Sequence, residues 1–417
     1  ATPAWTRMTG RTNCTVKFNA VASKGDFVWI FGTAQAGRGS GDSYLECKSI
    51  DEVAIVSTAE KMQNGGFPFL TKYHRDGTRV WTKGVTLADA DFSIFQAQTS
   101  HGMDSSGNHV IYAVGAVGGL LPGELPSTLN SRQEAHGLLF AVSGETGNHL
   151  WSRRIAGFTA AGDFKATVAY SLTVLPSAPN EQVYVTGTTT ANVSCADRAP
   201  AANSQDAFMA KFKVNSQNDG AEQQWARSIA PVVNSSEASL RYGSNYAVDV
   251  WTHDAGDTSA AYVFSSGGES RLNRGTEAHV WYYKDENALK DGPTACAVVS
   301  ATSSSPGSAP APSAPSTSVA PAPAAPSPAD PEHNFLTSLE YVADPQDTVA
   351  GTPRSSYFHH VAVLPGGESE SEQKAGAPKI VTCARTSIVD PSRPDNDRAD
   401  TGVLSLFTWS GDTESNT

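Results

Sequence analysis

Residues with reactive groups are scattered along this 417-residue chain, and their spacing offers little chemistry. Two Ser-Gly pairs, Ser143-Gly144 and Ser410-Gly411, read as turns. Neither lies in the Gly-X-Ser-X-Gly elbow that exposes a nucleophile between a strand and a helix, and no helical pattern follows either one. His359 and His360 are adjacent in an apolar run that reads as a strand. Successive side chains of a strand point to opposite faces, so alternation keeps the two imidazoles from sharing one ion. Asp390, Asp395, Asp397 and Asp400 crowd a Pro-containing segment. Oxygen-rich loops can hold Ca²⁺, but this one lacks the Gly and the fixed alternation of a dedicated calcium loop and reads as a solvated acidic turn. No catalytic residue, metal ligand or cofactor-binding residue is assigned, and no cofactor is expected.

What does repeat is structural. Four apolar runs end in Trp followed by Thr, Ser or Ala and a basic residue: Trp5-Thr6-Arg7, Trp81-Thr82-Lys83, Trp151-Ser152-Arg153 and Trp225-Ala226-Arg227. The intervals between these Trp residues are 76, 70 and 74, and a period of this size marks stacked copies of one supersecondary unit. Upstream of each later Trp the chain reads strand, turn, strand. The first such stretch is 69–73, Asp76-Gly77 and Val80-Trp81; the second is 138–142, Thr146-Gly147 and Leu150-Trp151; the third is 207–212, a polar stretch to Gly220, and Gln224-Trp225. Period-two alternation specifies the strands, and Asp-Gly and Thr-Gly supply the positive φ of tight hairpins. Earlier in each unit stands a run that ends in Gly (27–32, 110–115, 183–187), preceded by a further apolar run such as 14–18 or 168–174. Four strands per unit follow.

A four-stranded antiparallel unit repeated with Trp on its outer strand is the arrangement of a propeller blade. Residues 183–187 and 206–227 resemble the β-propeller repeat family of secreted and surface proteins, whose units read Val-Tyr-Val-Thr-Gly, Asp-Ala-Phe-Val-Ala-Lys, Gly and Leu-Trp-Thr-Arg; residues 138–153 are similar to the repeat of quinoprotein propellers. The resemblance implies an all-β propeller and is weak for activity, because that fold hosts many functions. The Asp76-Gly77 turn is similar to the Asp-box of sialidase propellers, but His74 stands where Ser or Thr belongs and Trp81 comes one position late. That box is a structural turn in any case.

Two further units are degraded but countable. The fourth reads 261–267, 279–283 and, after an insertion, Asn334-Phe335-Leu336, with Phe335 in the Trp slot. The fifth reads 358–363, 379–383 and 403–407 and lacks a fourth strand. The orphan strand 4–8, carrying Trp5, is expected to supply it. Residues 1–417 are then a single propeller domain of about five four-stranded antiparallel blades closed by the N-terminal strand, with no strand edge open at the closure. The alternative is that the chain is a piece of a larger precursor with more blades. Trp5, Trp81, Trp151, Trp225 and Phe335 are expected to pack against neighbouring blades, each burying on the order of 200 Å², worth several kcal/mol at about 25 cal/mol per Å². Trp29 and Trp281 lie on middle strands and either pack likewise or stack on a sugar.

Composition points outside the cell. Net charge is −12, from 30 basic and 42 acidic residues; there is no basic stripe, which argues against nucleic acid as a partner. No run approaches the roughly 20 apolar residues of a membrane-spanning helix. Ala1 in place of Met reads as mature numbering after removal of a leader. Asn13, Asn192 and Asn234 open Asn-X-Ser/Thr sequons. Residues 303–331, inserted in the fourth blade, are almost entirely Ser, Ala, Pro and Thr. They cannot bury enough apolar area to fold and read as extended chain or a flexible loop. Their Ala-Pro and Ser-Pro runs resemble the hydroxyproline-rich glycomodules of plant and algal matrix proteins, which makes Pro310, Pro312, Pro321, Pro323 and Pro328 candidate hydroxylation or O-glycan sites. Of Cys14, Cys47, Cys195, Cys296 and Cys383, five in all, at least one is free or bonds another chain. Cys14 is expected to pair with Cys383 across the closure or locally with Cys47, and Cys296 is the candidate for an intermolecular bond.

Two functional expectations follow. The first is a non-enzymatic extracellular glycoprotein, a structural subunit of a cell-surface appendage, fibre or matrix. It would meet other chains or copies of itself through the loops at 34–65, 116–135 and 188–205, since long loops in a tight repeat are functional surfaces. The second is a glycan- or small-ligand-binding propeller of lectin or quinoprotein kind, possibly an enzyme, working at the mouth of its channel. The sequence shows no repeated polar residue on the first strands to line such a channel.

Overall fold

A computed structural model describes residues 14–38, 67–87, 91–103, 107–122, 135–158, 164–175, 181–190, 205–215, 220–229, 242–254, 257–271, 275–285, 335–341, 355–366, 376–389 and 398–408, with short pieces at 44–45, 49–50, 53–54 and 193. Every regular element among them is a strand. Sheet I is formed by Cys14–Lys24, Phe27–Arg38, Phe67–His74 and Arg79–Gly84, and sheet II by Asp91–Met103, His109–Gly118, His136–Ser143 and His149–Ile155. Thr167–Leu175, Gln182–Thr189, Asp206–Val214 and Ala221–Ile229 form sheet III. All three are antiparallel meanders in which the four main strands follow chain order; in sheet I the short strand Tyr44–Leu45 also pairs with the end of Phe27–Arg38. The hairpins close as the turn chemistry requires: Gly77 sits at φ 87°, Gly147 at φ 69° and Gly25 at φ 56°. Asp76 Oδ1 accepts from the Thr78 N–H at 2.7 Å.

Sheet IV (Tyr242–Asp254, Asp257–Arg271, Gly275–Asp285, Phe335–Tyr341) repeats the four-stranded meander, and sheet V (Ser355–Gly366, Gly376–Val389, Arg398–Thr408) has three strands. They are not separate. A parallel bridge between Thr276 and Ser355 joins them into one seven-stranded array. Among the described residues no ladder joins sheet V to sheet I; the segment expected to close that gap, with Trp5, lies outside them.

The Gly residues read as strand ends are in fact mid-strand, because the second strands run on to Arg38, Gly118, Thr189 and Arg271. Their role is set by the neighbouring first strand, which carries a one-residue bulge at the same rung in all five sheets. The extra residue is Asn19, Phe95, Tyr170, Tyr246 and His359 in turn. The residue before each bulge faces Gly32, Gly115, Gly187, Gly267 and, in sheet V, Ala384. A bulge bends its strand toward the partner. A Cβ on Gly115 would fall on the Ser93 carbonyl oxygen, and one on Gly187 on the Val168 carbonyl oxygen. Glycine is what lets the two backbones approach.

A second bulge precedes the Trp of each fourth strand. Trp81 faces Lys72, Trp151 faces Ala141 and Trp225 faces Lys211, with Val80, Leu150 and Gln224 as the unpaired residues. In sheet IV the corresponding unpaired residue is Leu336, so register gives the Trp rung to Thr337 and puts Phe335 level with Arg79, His149 and Gln223. This corrects the assignment of Phe335 to that slot: one bulge residue displaces the alignment by two positions.

Three apolar cores lie between sheets rather than within them. Trp29, Phe31, Leu70, Phe92, Ile111 and Phe140 join I to II. Tyr112, Leu139, Trp151, Leu172, Val185 and Phe208 join II to III, while Tyr184, Met209, Trp225, Val248 and Val263 join III to IV. Both faces of the middle sheets are thus covered, which explains why the second strand of sheet III is buried along its whole length.

Candidate functional site

The first strands of successive sheets adjoin, I to II, II to III, III to IV and IV to V, and form an inner seam. Along its length a first strand pairs with one neighbour, so every second N–H along it points away from its own sheet, and side chains of the preceding sheet take up several of these backbone groups. Gln96, one residue past the bulge in sheet II, accepts with Oε1 from the Leu172 N–H and the Ser171 hydroxyl, both at 2.6 Å. Ser171, the equivalent residue of sheet III, accepts with Oγ from the Val248 N–H of sheet IV at 3.1 Å. Sheet IV has Ala247 at that position and uses another residue. Asp249 Oδ2 accepts from the Val363 N–H of sheet V at 2.8 Å, while its Oδ1 accepts from Val250 N–H at 2.9 Å and the Thr173 hydroxyl at 3.3 Å. Burial pushes the Asp249 carboxyl above its usual value, an effect only partly offset by these three donors. Between sheets I and II the same task falls to Lys24, whose Nζ donates to the Ser100 and His101 carbonyls at 2.5 and 2.7 Å.

A buried carboxylate marks the II–III boundary. Glu181 accepts from the Gly102 N–H at 2.5 Å and from the Tyr112 hydroxyl at 2.7 Å. Burial, reinforced by that carboxylate, lifts the Tyr112 hydroxyl well above the usual phenol range. Tyr112 is therefore a fixed donor, unsuited to proton transfer near neutral pH. The first strands carry no repeated polar residue, as the sequence reads, but they do carry polar side chains of different types, Gln, Ser and Asp, and two rungs share the work.

At the outer seam the aromatic residues pack between sheets. Trp29 Nε1 donates to the Gly144 carbonyl at 2.8 Å and Trp81 Nε1 to the Glu145 carbonyl at 2.8 Å, so both tie sheet I to the third hairpin of sheet II. Trp151 and Trp225 also meet a ring of their own sheet, Tyr112 at 5.9 Å and Tyr184 at 6.2 Å centroid to centroid, while packing into the II–III and III–IV cores. Lys72, 2% exposed, places Nζ 4.0 Å over the Phe27 ring and 2.6 Å from Glu145 Oε2. The Ser143-Gly144 turn is thus an anchoring point for both Trp residues. Ser143 Oγ accepts from the N–H groups of Glu145 and Thr146 at 3.3 and 3.2 Å.

His359 is the bulge residue of its strand and His360 faces Cys383. Simple alternation, the ground for separating the two histidines, does not hold across a bulge. Cys14 faces Ala36 on the outer rung of sheet I. Asn13, Asn192, Asn234, Cys47, Cys195, Cys296 and the insertion with Pro310, Pro312, Pro321, Pro323 and Pro328 lie outside the described residues. Among the described residues no three His, Cys, Asp or Glu side chains gather as a metal site.

The arrangement defines an all-β protein of stacked four-stranded antiparallel sheets held by one polar and one aromatic seam. No family model and no curated protein matches the chain. Among solved structures it is similar to the hemagglutinin-neuraminidase ectodomain of parainfluenza virus 5, at 7% identity over 93% of this chain and 80% of that one, with a TM-score of 0.26. It is also similar to the Dos1 propeller, at 9% identity over 61% of this chain and 64% of that one, with a TM-score of 0.23.

Proposed function

We propose that the chain is a β-propeller of about five four-stranded blades, its N-terminal segment around Trp5 completing the last. It serves as a non-enzymatic extracellular glycoprotein, an assembly subunit of a cell-surface appendage, fibre or matrix. Five recurrences of one bulge at one rung support the propeller, since they set five first strands to a common level. The observation that carries the function is the use made of the inner polar groups. Gln96, Ser171, Glu181 and Asp249 spend their acceptors on backbone N–H groups and hydroxyls of an adjacent sheet. An interior wired in this way is rigid and has its general acids and bases already committed, which suits a building block better than a catalyst. The glycomodule-like insertion, the sequons and the odd cysteine fit a glycosylated subunit that bonds to neighbours. Electron microscopy of the native, unreduced material tests the reading. Regular filaments or sheets are expected, and dispersed monomers at every concentration would contradict it.

A further inference from the structure

Distance from the bulge decides which neighbour a first-strand side chain meets. The residue before the bulge and the residue two past it face the preceding sheet. Ile94 and Ala97 of sheet II lie in the core shared with sheet I, and Ala169 and Leu172 of sheet III in the core shared with sheet II. Val248 and Val361 hold the later position in sheets IV and V. None of these six is more than 9% exposed. In sheet I the same two positions are Phe18 and Val21, which are 52% and 60% exposed. Val28 and Ile30 beside them on the second strand are half-buried, whereas their counterparts in sheet II, Ile111 and Ala113, are fully buried.

Sheet V shows the converse. The residue three past the bulge faces the following sheet: Ala22 of sheet I packs into the I–II core, and Thr173 of sheet III bonds to Asp249 of sheet IV. Both are buried. In sheet V that residue is Ala362, which is exposed, and its rung continues through the half-buried Val381 to Leu406. Among the described residues, sheet I is thus a unit without a predecessor and sheet V a unit without a successor.

Stacked repeats that end in water carry polar caps. Phe18, Val21, Val28 and Ile30 are the opposite of a cap. The chain's own sheet V does not cover them, because Val21 and Ala362 are both exposed in a structure that holds both sheets. The two faces are unlike and complementary, since every core between sheets joins one face of each kind. A contact between unlike faces of identical copies is heterologous and propagates from copy to copy.

We propose that the Phe18–Val21 face of sheet I docks the Ala362–Val381 face of sheet V from a second copy, head to tail, so that copies stack as consecutive sheets do within one chain. This rests on the proposed assembly and names its contact. The segment around Trp5 then completes the last sheet of the next copy.

Sedimentation velocity of the full chain from about 1 to 100 μM tests this. The wild type is expected to give species whose mass rises with concentration without a fixed end point. The double variant Phe18→Lys, Val21→Lys should stay monomeric over that range, and so should Ala362→Lys. Both changes reduce the net charge of −12, so the loss cannot come from general repulsion. Each variant keeps one intact face, and a one-to-one mixture should form a dimer and grow no further. Because the substituted positions are exposed, both variants should melt at the wild-type temperature at the lowest concentration. A variant that fails to fold or melts lower there shows a ring closed on the chain's own sheet V and overturns the proposal. Wild-type monomers at every concentration overturn both the proposal and the assembly reading. Assembly that survives in both variants, or a mixture that stays monomeric, overturns the proposed contact and leaves the assembly reading standing.

Discussion

The inner and outer seams solve one problem, holding sheet to sheet, with opposite chemistry. Both rely on a bulge repeated from unit to unit. At the inner seam the bulge falls on the first strand, whose outward N–H groups, such as those of Leu172 and Val248, the preceding sheet satisfies with Gln96 and Ser171. At the outer seam the bulge falls just before the Trp, and the gain is burial of Trp151 and Trp225 between sheets. Hydrogen bonds fix register and spacing but contribute only about 1 kcal/mol net each. Aromatic burial contributes several times that and tolerates small displacements. The inner seam thus sets geometry and the outer seam supplies most of the stability.

That division can be broken most severely where backbones touch. Gly187→Val would force a side chain into the Val168 carbonyl and the Phe208 ring, and should cost about 4 kcal/mol or prevent folding. Gly25→Ala, with nothing within 4 Å but φ at 56°, should cost about 1 kcal/mol. Urea melts of the two variants measure the contrast.

Trp151→Ala should cost about 3–5 kcal/mol through the cavity left between sheets II and III. Trp81→Ala, from a half-buried position, should cost less, and comparable losses would show that burial does not rank the outer seam.

At the inner seam, Asp249→Ala orphans the Val363 N–H and should cost about 1–3 kcal/mol. The pH dependence has a definite sign. Because burial holds the native carboxyl above its ordinary value, the folded chain keeps its proton longer than the unfolded one. Wild-type stability contributed by this group is therefore full below about pH 3.9 and falls as pH rises through the raised native value. The alanine variant should lack that fall.

The smallest effect concerns His149. Its Nε2 is buried without a partner among the described residues, and burial holds the ring below its usual value despite the bond to the Trp151 backbone. Protonation favours the unfolded chain, so stability is full above about pH 6.5 and declines as pH falls from there toward the lowered native value. His149→Gln should flatten thermal-melt midpoints between pH 7 and 5.

The two seams differ in how legible they are in the sequence. The Trp repeat announced the outer seam, because one residue type recurs at a nearly constant interval. The inner seam was hidden by its own device. A single extra residue such as Tyr170 shifts the phase of a period-two pattern, so 168–174 reads as an irregular apolar run, and the strand 91–103 gave no clean alternation. A signal is present in the glycines: Gly115 and Gly187 mark close backbone approach and not strand ends. The stapling itself had no sequence signature, since Gln96, Ser171 and Asp249 share a task without sharing a residue type. Phe335 misled because its aromatic character suggested the Trp slot, while register gives that rung to Thr337.

The central claim, that the inner seam is a set of sheet-to-sheet clamps, is tested most directly by a double-mutant cycle on Gln96→Leu and Ser171→Ala, read by equilibrium unfolding. The account predicts a coupling of about 1 kcal/mol or more between these residues of adjacent sheets. Strictly additive losses would mean that the two side chains do not act on each other and that the clamp is not what holds the sheets in register.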